Sequence, residues 1–183
     1  MPTKQIQDSH PIILSKLHRP RISGRSLLRP RLSQRLDAAA GLVLVIAPAG
    51  YGKTILLSTW LESHALPSAW LSLDEDDNDL VVFVTYLVAA VRTLFPDACE
   101  ETLALLHGMT VPSADEVSRS LLTELAAVER EFVLVLDDYH VIHDRGIHAI
   151  VTELTRHPPP AMRLVFSTRR DPPLPLSSLR ARG

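Results

Sequence analysis

Residues 42–54 read LVLVIAPAGYGKT. Leu42 to Ile46 is a continuous apolar run of β-formers without polar alternation, which suits a parallel strand covered on both faces. Ala47 to Thr54, APAGYGKT, follows as a loop, and Ile55, Leu56, Trp60 and Leu61 then recur at helical spacing to about His64. A tight loop between a buried strand and a helix turns its backbone N–H groups inward and makes an anion nest at the helix N-terminus. Gly50 and Gly52 permit the unusual φ angles and the close backbone approach. The spacing is that of a phosphate-binding P-loop, in which Lys53 reaches the β- and γ-phosphates of a nucleotide and the Thr54 hydroxyl ligates Mg²⁺. The binding set is Ala47, Pro48, Ala49, Gly50, Tyr51, Gly52, Lys53 and Thr54. Ala47 stands where the strict pattern has glycine; a methyl group is tolerated there if the backbone keeps a negative φ.

Three further strands lie downstream: Ala69 to Leu73 (AWLSL), Phe132 to Leu136 (FVLVL) and Arg163 to Ser167 (RLVFS). Between them Asp79 is placed to cap a helix carrying Val82, Phe83, Tyr86, Leu87, Ala90 and Val91. Ser113 or Asp115 starts another helix that runs to Val128, and His148 to Arg156 is helical up to ProProPro at 158–160. Upstream, Arg31 to Ala40 reads as a short helix. Strands that alternate with helices imply βαβ units and right-handed crossovers. The fold class expected is therefore α/β, a three-layer P-loop NTPase sandwich around a parallel sheet.

Ligands in such sheets bind at the carboxyl ends of the strands. Asp137 and Asp138 end the FVLVL run. Asp137 is placed to hold the Mg²⁺ hydration shell, with Thr54 the second metal residue, and Asp138 to orient or deprotonate the attacking water. Thr168 and Arg169 end the fourth strand, where an arginine can sense the γ-phosphate and stabilise developing charge. The catalytic candidates are Asp138 and Arg169. His140, His143, Asp144 and His148 match no standard zinc spacing.

Composition narrows the class. The 183 residues are 46% hydrophobic and 22% charged, with net charge −2, so a core is available and no polyanion partner is implied. Cys99 is the only cysteine, which excludes an intrachain disulfide and fits a reducing cytoplasm. No segment reads as a secretory signal or as a span of the about 20 apolar residues that a bilayer needs. Residues 1–30 read as a basic arm and 31–183 as the NTPase domain. From Met1 to Arg35 there are eight Lys or Arg and one acid, Asp8.

Several segments together, LLRPRLSQRL, LVLVIAPAGYGKT, AWLSLDEDDND, FVLVLDDYHVI and LVFSTRRDPPLPLSSLRARG, resemble the N-terminal NTPase domain of MalT-like, LuxR-type transcription regulators of the STAND class. The resemblance runs from about Leu27 to the last residue, and Ala47 is usual in that family. It implies a cytoplasmic ATP/ADP switch with Mg²⁺ and slow hydrolysis, with ADP closed and ATP plus an inducer giving self-association. It also implies Lys53 and Thr54 at phosphate and magnesium, Asp137 in the metal shell, Asp138 as catalytic acid, Arg169 as sensor and Arg29 to Arg35 near the base. By the same resemblance the strand order is 2-3-4-1. The chain is expected to stop at Gly183 before the last sheet strand, leaving LVLVI an edge, and before a C-terminal helix-turn-helix, so DNA binding is not supported within it. The rival readings are a small-molecule or nucleotide kinase built on the same loop and an inert remnant.

Overall fold

The computed structural model describes residues 12–22, 29–39, 41–63 and 66–175. Four parallel strands form one sheet: β1 (Leu42–Ile46), β2 (Ser68–Ser72), β3 (Phe132–Asp137) and β4 (Met162–Thr168), in the order β1-β4-β3-β2. That is the 2-3-4-1 order expected. β3 is buried along its whole length, and alternate residues serve opposite faces. Val133 and Val135 join Leu36, Val43, Leu57, Trp60, Leu61, Trp70 and Val165 in one cluster. Leu134 and Leu136 join the larger cluster, which holds Phe83, Leu87, Leu121, Ile150 and Phe166. The period of two thus feeds two apolar layers, and helices close both.

On the first face lie α1 (Pro30–Ala38) and α2 (Lys53–Glu62), tied where Trp60 Nε1 donates to Asp37 Oδ1 at 2.7 Å. The expected α2 face is corrected in part: Leu57, Trp60 and Leu61 are buried, whereas Ile55 is 48% exposed. Ile55 lies off the 53/57/60/61 stripe that faces the sheet. The second face carries α3 (Leu80–Arg92), α4 (Glu100–Leu106), α5 (Ala114–Ala126) and α6 (Arg145–Arg156). Asp79 caps α3 by accepting from the N–H groups of Val81 and Val82. Ser113 rather than Asp115 caps α5, in a reciprocal capping box with Glu116. α4 has no counterpart in the sequence reading. α6 begins three residues earlier than read, because Asp144 accepts from Ile147 N and caps it.

The two sheet margins differ. Beside β2 a 3-10 turn, Leu14–Leu17, packs on β2 and α3, and Leu17 enters the core. Lys16 is buried there: its Nζ donates to both oxygens of the fully buried Asp77 at 2.6 and 2.7 Å, lies 3.1 Å from Asp74 Oδ2, and sits 4.5 Å from the centre of the Tyr86 ring. Burial pulls the ammonium pKa down, but the two carboxylates more than offset that and hold it above its ordinary value. At the other margin β1 pairs with β4, and among the described residues no strand pairs with its outer side. Leu42, Leu44 and Val45 are half-buried and Ile46 is 39% exposed.

Candidate functional site

The loop from Ala47 to Thr54 leaves the carboxyl end of β1 and enters α2. Gly50 (φ +78°) and Gly52 (φ +76°) both take the left-handed conformation, which strains any residue carrying a Cβ. Gly52 is also the N-cap of α2 and brings no capping side chain. The first N–H groups of that helix are therefore left for oxygens from outside it, at the positive end of the helix dipole. Tyr51 stands 61% exposed at the loop tip.

Lys53 is buried, and its Nζ donates to the carbonyls of Ala47 (2.9 Å) and Pro48 (3.4 Å). An ammonium has three donors, so these two contacts hold the cation over the loop and leave donor capacity for an anion. The Thr54 hydroxyl donates to Asp137 Oδ2 at 2.9 Å, joining residues 83 apart in sequence across the ends of β1 and β3. The other carboxylate oxygen, Oδ1, accepts from Asp138 N at 3.1 Å. Asp137 is only 3% exposed, and burial pushes its pKa up, a shift that the hydrogen bond from Thr54 opposes. A buried carboxylate beside a hydroxyl is a hard-oxygen donor set, and a divalent cation such as Mg²⁺ would offset its desolvation.

That burial has a measurable consequence. Because the folded-state pKa is raised, ionised Asp137 costs stability above that pKa, and the cost disappears once pH falls below the ordinary carboxylate value of 3.8. Asparagine can accept from Thr54 without the charge. Asp137→Asn is therefore expected to melt higher than wild type at pH 7.5 without nucleotide, each kcal/mol of relief adding about 2–4 °C. The gain should shrink at pH 4.5, and Mg²⁺-dependent nucleotide binding should weaken. Thermal melts at the two pH values check this; a lower neutral-pH melting temperature would contradict it.

Asp138 follows in the left-handed conformation (φ 57°) with its side chain 41% exposed, so its carboxylate is open to solvent where Asp137 is not. His140 Nδ1 lies 3.6 Å from Asp138 Oδ1, beyond a hydrogen bond. Burial lowers the His140 pKa; Asp138 pulls it back up while the positive charges of Arg169, Lys53 and Arg170 push it down. Sequence reasoning gave His140 no role at the site; its position two residues after Asp138 was the available signal. Asp144 is spent on capping α6 and His148 Nδ1 on the Tyr139 hydroxyl at 2.8 Å. Thr168 is buried, and its hydroxyl donates to the Arg170 carbonyl at 2.7 Å, shaping the turn that presents Arg169 exposed. Arg29 is the N-cap of α1, Arg31 lies in its first turn and Arg35 in its last, and α1 packs on α2.

The AAA ATPase domain family matches residues 21–167. The HTH-type transcriptional regulator MalT of Klebsiella pneumoniae is 38% identical over 173 residues, 93% of this chain and 19% of that protein. MalT of Vibrio cholerae is 36% identical over the same shares. The chain thus spans about a fifth of the curated relatives it matches. Among solved structures, Cdc6p from Pyrobaculum aerophilum superposes with a TM-score of 0.57 at 16% identity, over 94% of this chain and 48% of that one. No described helix is long and apolar enough to cross a membrane.

Proposed function

Because the chain belongs to the AAA ATPase domain family, we propose that it binds ATP or ADP with Mg²⁺ and acts as the nucleotide switch of a MalT-like, LuxR-type STAND regulator in the cytoplasm. The observation that carries this reading is the Thr54–Asp137 hydrogen bond, which joins the phosphate loop to the carboxylate at the end of β3. Hydrolysis in this reading is slow, and its work is to return the switch to the ADP form. Lys53 and the α2 N-terminus bind phosphate oxygens, Thr54 and Asp137 hold the metal and its hydration shell, Asp138 orients water, and Arg169 answers the γ-phosphate. Bound Mg²⁺ would supply charge neutralisation at the phosphates. Arg29 to Arg35 lie toward the base, and the side of β1 that pairs with no strand among the described residues is where self-association would begin.

Asp138→Asn is expected to slow hydrolysis about a hundredfold or more while leaving ATP affinity within about twofold, since the residue acts on water and not on ground-state phosphate. Single-turnover hydrolysis and equilibrium binding on the same samples decide. A parallel loss in both would refute this role for Asp138. Transfer of phosphate to an added small-molecule acceptor, faster than to water, would favour a kinase instead.

A further inference from the structure

Asn78 lies in the acidic turn after β2, outside the phosphate loop and away from the end of β3 in sequence, yet its side chain reaches the segment that follows Asp138. Its Nδ2 donates to the carbonyls of Glu75 (3.1 Å) and Val141 (2.9 Å). Its Oδ1 accepts from the backbone N–H groups of His143 (2.6 Å) and Asp144 (3.2 Å). Both donors of the amide are used, and its oxygen takes two more bonds. Carbonyls face one end of the amide and N–H groups the other. A carboxylate would set an oxygen against two carbonyls, and an apolar side chain would leave those groups unmet.

Both sides of this bridge are fixed. The turn holding Asn78 is anchored by Asp77, which accepts from Lys16 and from Asp74 N (2.8 Å). The far segment starts at Asp137 in the β3 ladder and ends at Asp144, the cap of α6. Between them come Asp138, held at φ 57°, and a 3-10 turn, Tyr139–Val141. An aspartate enters the left-handed region more readily than most residues. The bonds from Asn78 to positions 141, 143 and 144 pin the segment that follows it.

We propose that Asn78 is a positioning residue for hydrolysis, fixing the 138–144 segment so that the Asp138 carboxylate and His140 stay aimed at the end of β3. This rests on the reading of Asp138 given above. Asn78 touches no nucleotide in it, so its loss changes turnover and not binding.

The test compares Asn78→Ala, Asn78→Asp, Asp138→Asn and the Asn78→Ala/Asp138→Asn double variant in the full chain, by single-turnover hydrolysis of γ-labelled ATP and by ADP affinity. Asn78→Asp keeps the acceptor for the two amides and so guards against a fold lost in the alanine variant. Both single Asn78 variants should slow hydrolysis about tenfold or more, with ADP affinity within about twofold. The double variant should be no slower than Asp138→Asn alone, because the two act through one group. Amide exchange at His143 and Asp144 should speed up in Asn78→Ala. Wild-type rates in the Asn78 variants, equal losses of rate and affinity, or multiplying losses in the double variant would overturn the proposal. If Asp138→Asn itself hydrolyses at the wild-type rate, the parent reading of Asp138 falls, and the proposal falls with it.

Discussion

Lys53→Ala is expected to weaken ATP and ADP binding about a hundredfold. The cause is local. Lys53 is the cation that the carbonyls of Ala47 and Pro48 hold over the loop. A charge-assisted contact to phosphate of this kind is worth about 2–3 kcal/mol. Removing a side chain that is only 8% exposed also leaves those two carbonyls without their donor, so the loop itself loosens. Competition against a fluorescent ATP analogue measures the change. Lys53→Arg separates charge from fit, because a planar fork does not replace a compact ammonium in a loop this tight. Affinity within about twofold of wild type in the alanine variant would remove the phosphate loop from the account.

The second large effect lies far from the nucleotide. Lys16→Met is expected to destabilise the chain by about 3–5 kcal/mol, because it leaves the fully buried Asp77 carboxylate without its partner. For a chain of this size that is a fall in melting temperature of about 6–20 °C. The remedy follows from the cause. Lys16→Met combined with Asp77→Asn removes both charges and keeps an acceptor for Asp74 N, so it should recover more than half of the loss. Urea denaturation of wild type, single and double variants reads both numbers. A single-variant loss below about 1 kcal/mol would place the pair with ordinary surface ion pairs.

Much of the architecture was legible in the sequence because its signals are local. LVLVI, AWLSL, FVLVL and RLVFS are short apolar runs bounded by turn residues, and all four are strands of the sheet. Asp79 and Ser113 were readable as caps because a cap and its N–H groups are two or three residues apart. What failed to show depends on contacts made across the fold. α4 follows Cys99, an N-cap in a left-handed conformation that offers no capping side chain; Glu124 of α5 accepts from the N–H groups of Glu101 and Thr102 in its place. No pattern near residue 100 signals that. Lys16 sits in a basic segment and Asp77 in an acidic one, and each reads as solvated charge until the fold brings them together.

The site divides in the same way. The APAGYGKT loop and the Asp137–Asp138 pair were visible because strand, loop and helix must be contiguous. The Thr54–Asp137 bond, the place of His140 beside Asp138 and the reach of Asn78 to Val141, His143 and Asp144 were not, since each spans strands that are distant in sequence or turns on a conformation. Asp144 is instructive. Its spacing to three histidines matched no zinc site, and the cap role that it plays, accepting from Ile147 N, was not read because the helix start was placed at His148.

Calorimetric titration of the wild-type chain with ATP and with ADP, first in Mg²⁺ and then in EDTA, tests the central claim most directly. The account predicts one saturable site per chain for both nucleotides, with ATP bound more tightly in Mg²⁺ than in EDTA because Thr54 and Asp137 then have a cation to hold. Absence of saturable binding, or ATP binding that Mg²⁺ leaves unchanged, would contradict it.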